Sequence, residues 1–388
     1  MLQEYDVVVA GGSISGLASA RELAGRGYNV IVLEEDMEIG TPEKCGGLVS
    51  LNSFSELALA PSERIIAQHI ERAILTSPSG KEIEMNVKGA KVVSLKRREL
   101  DKAMATAASR NGAVVQTGIR MNNFIERDET QHIETSLGKI QAKYLVDARG
   151  ISVYKSFVPE GLLPVAQYEV YLPDIQADTV EVHVDKKLSK EYFLWVIPIS
   201  HDTARVGIAG KGQLATKLED YLSKRKASVT KKIYHSLAIG GAIKNFVSGR
   251  RIIAGEAAGQ TKPTTAGGIY TAGLGGRMAG KYLSDALQNG YKELDGYQKE
   301  WMGKFGSDFA IQSNLRKIYE DLDNEDIDTL FSILKSSRAV EALSDASFDF
   351  HGADLRKLFD VKDFLKSLNV LGRSRTRIKA LLQLAVSI

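Results

Sequence analysis

Two groups of residues, far apart in the chain, have the types and spacing that bind a dinucleotide. The first is Gly11-Gly-Ser-Ile-Ser-Gly16, and Glu34 follows Gly11 by 23 residues. Glycines let the backbone approach a pyrophosphate closely, and a carboxylate at this distance accepts hydrogen bonds from an adenosine ribose. Ser13 takes the place of the middle glycine of the usual pattern, and it fits when its Cβ points away from the phosphate.

The second group contains Gly255-Glu256 and the segment Pro263 to Ile269. A carboxylate after a strand can accept a hydrogen bond from a ribityl hydroxyl of FAD. Gly267-Gly268-Ile269 is predicted to begin a helix whose N-terminus faces the pyrimidine end of the flavin, where negative charge collects on reduction. In this order, the two groups predict that the chain binds both ends of one FAD molecule.

The elements that position these residues follow from the apolar pattern. Tyr5–Ala10 and Val30–Leu33 are strand-length apolar runs, and a helical stretch, Leu17–Arg26, lies between them, which predicts a strand–turn–helix–strand unit. A buried strand, Tyr144–Ala148, ends at Arg149-Gly150. Further predictions are strands within 70–93, a helix from 95 to about 111, antiparallel strands within 165–208, and mostly helical structure from about 271 onward.

We therefore predict an α/β fold with a discontinuous Rossmann-like FAD-binding domain, an inserted antiparallel β-sheet substrate domain and a helical C-terminal tail. The predicted ranges are 1–65, 94–155 and 245–300 for the FAD-binding domain, 66–93 and 156–244 for the β-rich substrate domain, and 301–388 for the C-terminal helical region.

The composition narrows the class of protein. The chain has 388 residues, 44% of them hydrophobic and 26% charged, and a net charge of +3, which is too small to indicate nucleic-acid binding. Cys45 is the single cysteine, so no intrachain disulfide forms, and the histidines show no metal-ligand spacing, so no metal is expected. No apolar run is long enough to span a membrane, and the first strand leaves no room for a signal peptide. We expect a cytoplasmic protein.

The C-terminal tail carries a further signal. Residues 372–379 are basic and residues 380–388 are nearly all apolar. Such a helix could lie on an anionic bilayer, which would make the protein peripheral to a membrane. Packing against the protein's own core or against a second subunit is the alternative.

The chain resembles the geranylgeranyl reductase family, within the larger group built like aromatic hydroxylases, over residues 3 to 320. The resemblance rests on the first glycine loop, Cys45-Gly46-Gly47, Arg97 four residues before Asp101, Asp147-Ala-Arg-Gly150 with Ser152, Phe193-Leu-Trp-Val-Ile-Pro198, and Gly255 to Ile269. Lys262-Pro-Thr-Thr265 is the most specific motif, because hydroxylases usually carry a different turn there. Three positions depart from the family: Glu256 replaces aspartate, Ala266 replaces glycine, and Lys190 replaces a proline.

The resemblance implies an FAD-dependent reductase that saturates isolated prenyl double bonds, with hydride from N5 of reduced FAD and a proton added to the other carbon. An unactivated alkene offers no carbonyl to polarise, so catalysis would come from orienting it in a dry apolar tunnel. Phe193, Trp195 and Pro198 are the expected substrate contacts, although plain core aromatics are the alternative for the first two. Cys45 would lie beside the isoalloxazine as a candidate catalytic residue, or as a small buried hydrophobe.

The resemblance also gives the remaining site residues. Arg97 would contact FAD, with a solvated arginine at a helix start as the alternative, whereas Arg149 and Ser152 are expected to be structural. The predicted cofactor contacts are Gly11, Gly12, Ser13, Ile14, Ser15, Gly16, Glu34, Glu35, Cys45, Gly46, Gly47, Arg97, Met121, Gly150, Gly255, Glu256, Pro263, Gly267, Gly268 and Ile269.

The implied partners are a prenylated lipid and an electron donor, which is ferredoxin, another reduced carrier or NADPH. An archaeal-type digeranylgeranylglycerol phospholipid is favoured over a quinone or a chlorophyll precursor. Two other functions stay open: an FAD-dependent monooxygenase or halogenase of the same fold, and a prenyl-binding protein without enzymatic activity. The retained carboxylates and glycines argue against the latter.

Overall fold

The computed structural model describes residues 3–336, 340 and 348–350. In chain order the strands are β1 (Gln3–Ala10), β2 (Val30–Leu33), β3 (Leu48–Ser50), β4 (Ile66–Ile70), β5 (Arg72–Thr76), β6 (Glu82–Asn86), β7 (Val92–Leu95), β8 (Val114–Gln116), β9 (Met121–Arg127), β10 (Thr130–Thr135), β11 (Gly138–Asp147), β12 (Leu162–Tyr171), β13 (Thr179–His183), β14 (Leu194–Pro198), β15 (Thr203–Ala209), β16 (Ser228–Ala238), β17 (Val247–Ser248) and β18 (Arg251–Ile253).

The α-helices are α1 (Ile14–Ala24), α2 (Asn52–Glu56), α3 (Arg97–Arg110), α4 (Ile151–Tyr154), α5 (Leu214–Lys224), α6 (Ile269–Asn289), α7 (Asp295–Asp321) and α8 (Asn324–Ser336). Short 3-10 helices cover Lys88–Ala90, Pro159–Gly161, Gly255–Ala258 and Tyr291–Leu294. No helix among the described residues is both long and apolar enough to cross a bilayer. The basic and apolar tail, 372–388, lies outside the described residues.

The first sheet has the strand order β17-β18-β11-β1-β2-β8, and the hairpin β9–β10 extends it from β11. Strands β18, β11, β1, β2 and β8 run parallel. Leu33, Ala10, Asp147 and Ile253 are register neighbours at their strand ends. All four strands therefore end at one edge of the sheet, which is where an open α/β sheet binds its ligand.

The second sheet has the order β16-β12-β15-β14-β13-β5-β6 and is antiparallel, as predicted, except for the parallel pair β13–β5. Side chains alternate between its faces. Leu194 and Val196 pack with the helix α5, whereas Trp195 and Ile197 face the other way. Thr179 is buried although it is polar, because β13 is an inner strand.

A third sheet, β3-β7-β4, covers the face of the second sheet that carries Trp195. The residues packed between them form an apolar group that we call the sheet-face cluster. Its buried members are Ile70, Val92, Leu163, Val165, Val180, Tyr192, Trp195, Ile197, Ala209 and Ile239. Ala266 and Phe348 border it from the regions before α6 and after α8. The cluster therefore joins the β-rich part of the chain to the turn that leads into α6.

Candidate active site

The first glycine loop connects β1 to α1 at the edge where the parallel strands end. A Cβ atom on Gly16 would lie 2.0 Å from the carbonyl oxygen of Gly11, so only glycine allows this contact. Ser13 is exposed, and its hydroxyl makes no capping bond. Ser15 Oγ is buried beside Gly255, without a hydrogen-bond partner in the described part of the chain. The two sequence groups predicted to hold one cofactor therefore meet here.

Glu34 is held by backbone N–H groups at the end of β2. Its Oε2 accepts a hydrogen bond from Gly12 N at 2.7 Å, and its Oε1 accepts one from Asp36 N at 2.9 Å. Burial raises the pKa of Glu34, and these two bonds oppose that shift. The neighbouring Glu35 is exposed and pairs with Arg120 at 3.0 Å. Glu34 is therefore oriented within the cleft, while Glu35 lies at its surface.

Glu256 lies in the 3-10 turn after β18 and is partly buried. A Cβ on Gly150 would be 3.2 Å from its Oε2, so the two predicted contacts are adjacent. Burial raises the pKa of Glu256 to about 7, although a hydrogen bond from the backbone of Ala238 and the charge of Lys44 lower it. A carboxyl group poised near neutrality can accept or donate a hydrogen bond to a ligand hydroxyl.

The Cys45-Gly46-Gly47 segment, which we call the cysteine loop, lies against the second sheet. Gly47 N donates a hydrogen bond to Cys45 Sγ at 3.3 Å. A Cβ on Gly46 would be 2.8 Å from Cδ1 of Ile197, so the loop touches the sheet-face cluster directly. Cys45 is half-buried and packs at the border of the main hydrophobic core.

Arg205, on β15, holds the cysteine loop against the second sheet. The sequence analysis did not predict this residue. Its side chain is only 4% exposed. Nη1 donates to the Leu95 carbonyl at 2.8 Å, and Nη2 donates to Glu43 Oε2 at 2.5 Å. An arginine between alanine and valine in an otherwise apolar strand was the available signal. Its guanidinium joins three separate segments at the site.

Arg97 begins α3 and is buried, so the alternative of a solvated arginine is wrong. Its Nη2 donates to Oδ1 and Oδ2 of Asp101 at 2.8 and 2.9 Å, one helical turn away. Burial alone lowers the pKa of Arg97, but the Asp101 carboxylate more than reverses this, so the pKa lies above its ordinary value. Nε is buried and has no hydrogen-bond partner among the described residues. A buried cation with a free donor is thus available to a ligand.

The turn from Lys262 to Gly268 leads into α6, as predicted, with Gly268 as the N-terminal cap. Lys262 N donates to the Gly267 carbonyl at 3.0 Å, and Ala266 N donates to the Lys262 carbonyl at 2.8 Å. Pro263 is buried inside this turn. Ala266 has a left-handed backbone with φ of 52°, which explains why glycine suits this position. The first N–H groups of α6 have no partner within the helix.

Lys262 has a structural partner in the region after α8. Its ammonium group donates to the Phe348 carbonyl at 2.9 Å and lies 4.4 Å from the centre of the Phe348 ring. Burial lowers the pKa of Lys262. Because Phe348 also packs against the sheet-face cluster, this contact closes one border of the cluster.

Arg149 is structural, in line with the expectation. It forms a two-bond pair with the buried Asp147, with both N–O distances 2.9 Å, and also donates to the Met121 carbonyl at 3.3 Å. Arg251 binds the same carboxylate at 2.6 Å. Ser152 Oγ donates to the Arg149 carbonyl at 2.8 Å. This group ties β9, β11 and β18 together below the cleft.

The predicted substrate contacts separate into two sets. Phe193 and Trp195 both border or join the sheet-face cluster, with ring centroids 6.2 Å apart, and Tyr192 stacks on Phe193 at 4.1 Å. Pro198 shares the strand parity of Leu194, so alternation directs its ring to the opposite side of the sheet. Only the aromatic pair lies on the face that touches the cysteine loop.

These residues fit FAD. Ser15 Oγ, beside Gly255, and Arg97 Nε, beside Gly47, are buried donors with no hydrogen-bond partner in the described part of the chain. Glu34, Glu256 and the N-terminus of α6 are the other groups predicted to bind the cofactor. A ligand with phosphates, ribose hydroxyls and a polar ring edge supplies acceptors and donors for each of them.

Comparison with known families decides the assignment. The model of a family described as FAD binding domain matches residues 4–209. The chain belongs to this FAD-binding family. It is an FAD-dependent oxidoreductase.

Relatives narrow the resemblance further. The digeranylgeranylglycerophospholipid reductase 2 of Methanothermobacter thermautotrophicus is 28% identical and aligns with 86% of this chain and 92% of its own. A geranylgeranyl bacteriochlorophyll reductase-like protein from Thermoplasma acidophilum has the same fold, with a TM-score of 0.83 at 21% identity over 93% of this chain and all of its own. A flavin-dependent brominase is more distant, with a TM-score of 0.67 at 16% identity over 92% of this chain and 98% of its own. The resemblance to geranylgeranyl reductases is confirmed.

Proposed function

We propose that this FAD-dependent oxidoreductase saturates isolated double bonds in the prenyl chains of a geranylgeranyl lipid, with an archaeal-type digeranylgeranylglycerol phospholipid as the favoured substrate. The observation that carries the proposal is the sheet-face cluster. Its buried members are apolar or aromatic, and it borders the cysteine loop directly at Ile197. A hydrocarbon chain offers no polar group to bind, so an apolar region of this kind beside the cysteine loop would suit it.

Reduced FAD, when bound, supplies the hydride that such a reaction needs. The residues of the chain bind and orient the reactants around it. Trp195 and Phe193 would hold the alkene in an apolar environment, and burial there would exclude water. Cys45, the proposed catalytic residue, would supply the proton from its thiol. Arg97, Glu34, Glu256 and the first glycine loop would bind the cofactor.

The proposal is tested by incubating the dithionite-reduced, FAD-loaded protein with an unsaturated digeranylgeranylglycerol phospholipid. Mass spectrometry should show a gain of two hydrogens for each double bond reduced. A quinone with an unsaturated prenyl tail serves as the competing substrate. Turnover of the quinone without any gain on the phospholipid would contradict the substrate assignment.

Two further measurements address the remaining parts of the proposal. Ferredoxin, another reduced carrier and NADPH are the proposed electron donors, and each can replace dithionite in the same assay. The distant likeness to a flavin-dependent brominase keeps a monooxygenase as the second candidate. A monooxygenase would consume oxygen together with NADPH, which an oxygen electrode measures, and the reductase should reduce the lipid without oxygen.

A further inference from the structure

Gln167, on β12, is fully buried. Among the described residues, only one of the two polar atoms of its side-chain amide forms a hydrogen bond. Its Oε1 accepts a hydrogen bond from Trp195 Nε1 at 3.3 Å. Its Nε2 is buried and has no hydrogen-bond partner in the described part of the chain. A buried polar group without a partner costs about 1–3 kcal/mol, so such a donor is expected to have an acceptor in the working protein.

The chemistry of Trp195 fixes which way the amide points. An indole N–H can only donate, so the atom facing it must be the oxygen of Gln167. The opposite assignment would place two donors against each other and leave the oxygen unpaired. The NH₂ group of Gln167 is therefore turned away from Trp195.

Gly207, on β15, makes this arrangement possible. It is the register neighbour of both Gln167 on β12 and Trp195 on β14. A Cβ on Gly207 would lie 2.3 Å from Cζ2 and 2.9 Å from Nε1 of the indole. The indole can thus lie across Gly207 and reach the glutamine only because this position has no side chain.

The row formed by these three residues lies directly beneath the cysteine loop. A Cβ on Gly46 would be 3.9 Å from both Gln167 Oε1 and Trp195 Nε1. The surrounding sheet-face cluster is apolar except for the Tyr192 hydroxyl, which is buried and bonded to no described residue, so it does not accept from this amide. The carboxylate of Glu169, two residues along β12, is paired with Arg205 at 3.5 Å. An isolated prenyl double bond offers no acceptor for a hydrogen bond either.

We propose that the side-chain amide of Gln167 donates a hydrogen bond to the flavin ring of FAD and stabilises its reduced form. The inference rests on the proposed position of the flavin beside the cysteine loop. Reduction adds negative charge to the ring, so a fixed donor in a dry environment binds the reduced form more tightly than the oxidised form. Gln167 would then set the reducing power available to the alkene.

The test is the midpoint potential of the FAD-loaded, full-length protein, measured by reductive titration against a reference dye without any lipid. Gln167→Glu keeps an acceptor for Trp195 but replaces the donor with a second acceptor oxygen. We expect its binding of reduced relative to oxidised FAD to weaken at least tenfold, which for a two-electron couple lowers the potential by roughly 30 mV. Gln167→Met should lower it by less, because it adds no charge.

The chain offers a matched control in Gln131, on β10. This glutamine is also fully buried and also has one unpartnered amide atom, but it lies in the first sheet and binds Glu126 at 2.9 Å. Gln131→Met should leave the potential unchanged. An equal shift in this variant would mean that any buried glutamine disturbs the flavin, and the inference would fail.

A double-mutant cycle with Cys45→Ala separates the flavin from the cysteine as the acceptor. Additive effects on the potential support the flavin, whereas loss of the Gln167→Glu effect in the Cys45→Ala background would assign the donor to sulfur and overturn the inference. Should the Gln167 variants fail to fold, Trp195→Phe frees the amide to rotate and should also lower the potential. An unchanged potential there would count equally against the role.

Because no lipid is present, the potential is informative whether or not the protein reduces a phospholipid. Failure of the lipid assay with a shifted potential would overturn the proposed substrate and keep the role of Gln167. Turnover of the lipid with an unchanged potential in the Gln167 variants would keep the proposed substrate and overturn the role of Gln167.

Discussion

Ala266 has a backbone conformation that favours glycine. Its φ of 52° places it in the left-handed region, where a Cβ atom costs about 1–2 kcal/mol. The strain lies in the turn before α6. Lys262 of the same turn donates a hydrogen bond to the Phe348 carbonyl, so the region after α8 stabilises the turn in addition to the turn's own hydrogen bonds.

We therefore expect Ala266→Gly to stabilise the protein by about 1 kcal/mol, after allowing for the greater flexibility of glycine in the unfolded chain. Urea unfolding of the FAD-free protein measures this. Ala105→Gly, within the regular helix α3, is the control and should destabilise by about 1 kcal/mol. A loss of stability in both Ala266→Gly and Ala105→Gly would show that the backbone of Ala266 is not strained.

Glu256 predicts a pH dependence of stability. Burial raises its pKa from the ordinary 4.5 to about 7. Between these values the folded FAD-free protein keeps a proton on Glu256 that the unfolded chain has lost. The contribution of Glu256 to stability is therefore largest below pH 4.5 and falls as the pH rises towards 7. Each pKa unit of separation corresponds to about 1.4 kcal/mol.

Glu256→Gln should remove this part of the slope, because the amide stays neutral. Thermal unfolding of the FAD-free variant and parent at pH 5, 6, 7 and 8 gives the comparison. Glu34→Gln provides a second reference at the other end of the cleft. Parallel slopes for parent and Glu256→Gln would show that the carboxyl group titrates normally.

The contribution of each residue to the site could be predicted from sequence only where a local motif carries it. Glu34 follows the first glycine loop at a regular spacing, and Gly268 begins a helix after a recognisable turn. Arg205 could not be found this way, because its partners Leu95 and Glu43 lie 110 and 162 residues away in sequence. Gln167 depends on the register of β12 against β15, which no sequence motif records.

At the scale of elements, the cysteine loop depends on β15 for its position. Arg205 is buried under the loop and binds Leu95, Glu43 and Glu169. Removing one member of a buried ion pair typically costs about 3–5 kcal/mol, because the other charges stay buried without compensation. The loop would lose its support on the same side as the sheet-face cluster.

Arg205→Gln should therefore destabilise the protein by about 3 kcal/mol and weaken FAD binding at least tenfold, as measured by quenching of FAD fluorescence. Arg225→Gln is the matched control, because Arg225 binds Glu181 at 2.7 Å and lies with α5 on the opposite side of the second sheet. It should lose stability without losing FAD affinity. Equal loss of FAD affinity in both variants would show that Arg205→Gln weakens FAD binding only through general destabilisation of the protein.

The elements themselves follow from sequence where the pattern is periodic and local. The strand–turn–helix–strand unit was predicted, although α1 begins at Ile14 rather than Leu17, because the extended backbone of Ser13 places this residue at the N-terminal cap position. The parallel pairing of β13 with β5 was not predicted, since alternating side chains look the same in parallel and antiparallel strands.

At the scale of the whole molecule, the predicted cofactor contacts extend from Gly11 to Ile269. Ligand binding to the folded state alone raises stability by about 2.7 kcal/mol at a concentration one hundred times Kd. We expect the thermal unfolding midpoint to rise with the logarithm of the FAD concentration. Because the contacts join distant parts of the chain, one cooperative transition should shift as a unit.

Gly16→Ala should abolish this rise, because its Cβ would lie 2.0 Å from the Gly11 carbonyl oxygen. Gly27→Ala is the control: Gly27 also lies near the first unit, and its Cβ would meet no atom within 4 Å. Its positive φ costs some stability, but the response to FAD should persist. A normal FAD response in Gly16→Ala would exclude the first glycine loop from the binding site.

The division of the chain into FAD-binding, β-rich and helical ranges stays a prediction. It was drawn from changes in pattern, whereas the sheets are joined by side chains such as Arg205 and Phe348 that connect one range to another. Boundaries of this kind depend on long-range contacts, and a single sequence does not reveal them.

The parallel sheet also imposes an order in time on the synthesis of the protein. Strand β1 can pair with β2 soon after both leave the ribosome, but its other neighbour, β11, begins at Gly138, and β18 follows only at Arg251. Until β11 has been made, the apolar strand of Val7, Val8 and Val9 has one open edge, which can pair with another chain. The nascent protein is therefore most vulnerable to aggregation before its cofactor site can exist, and chaperones that cover this edge should matter more for its yield than FAD does.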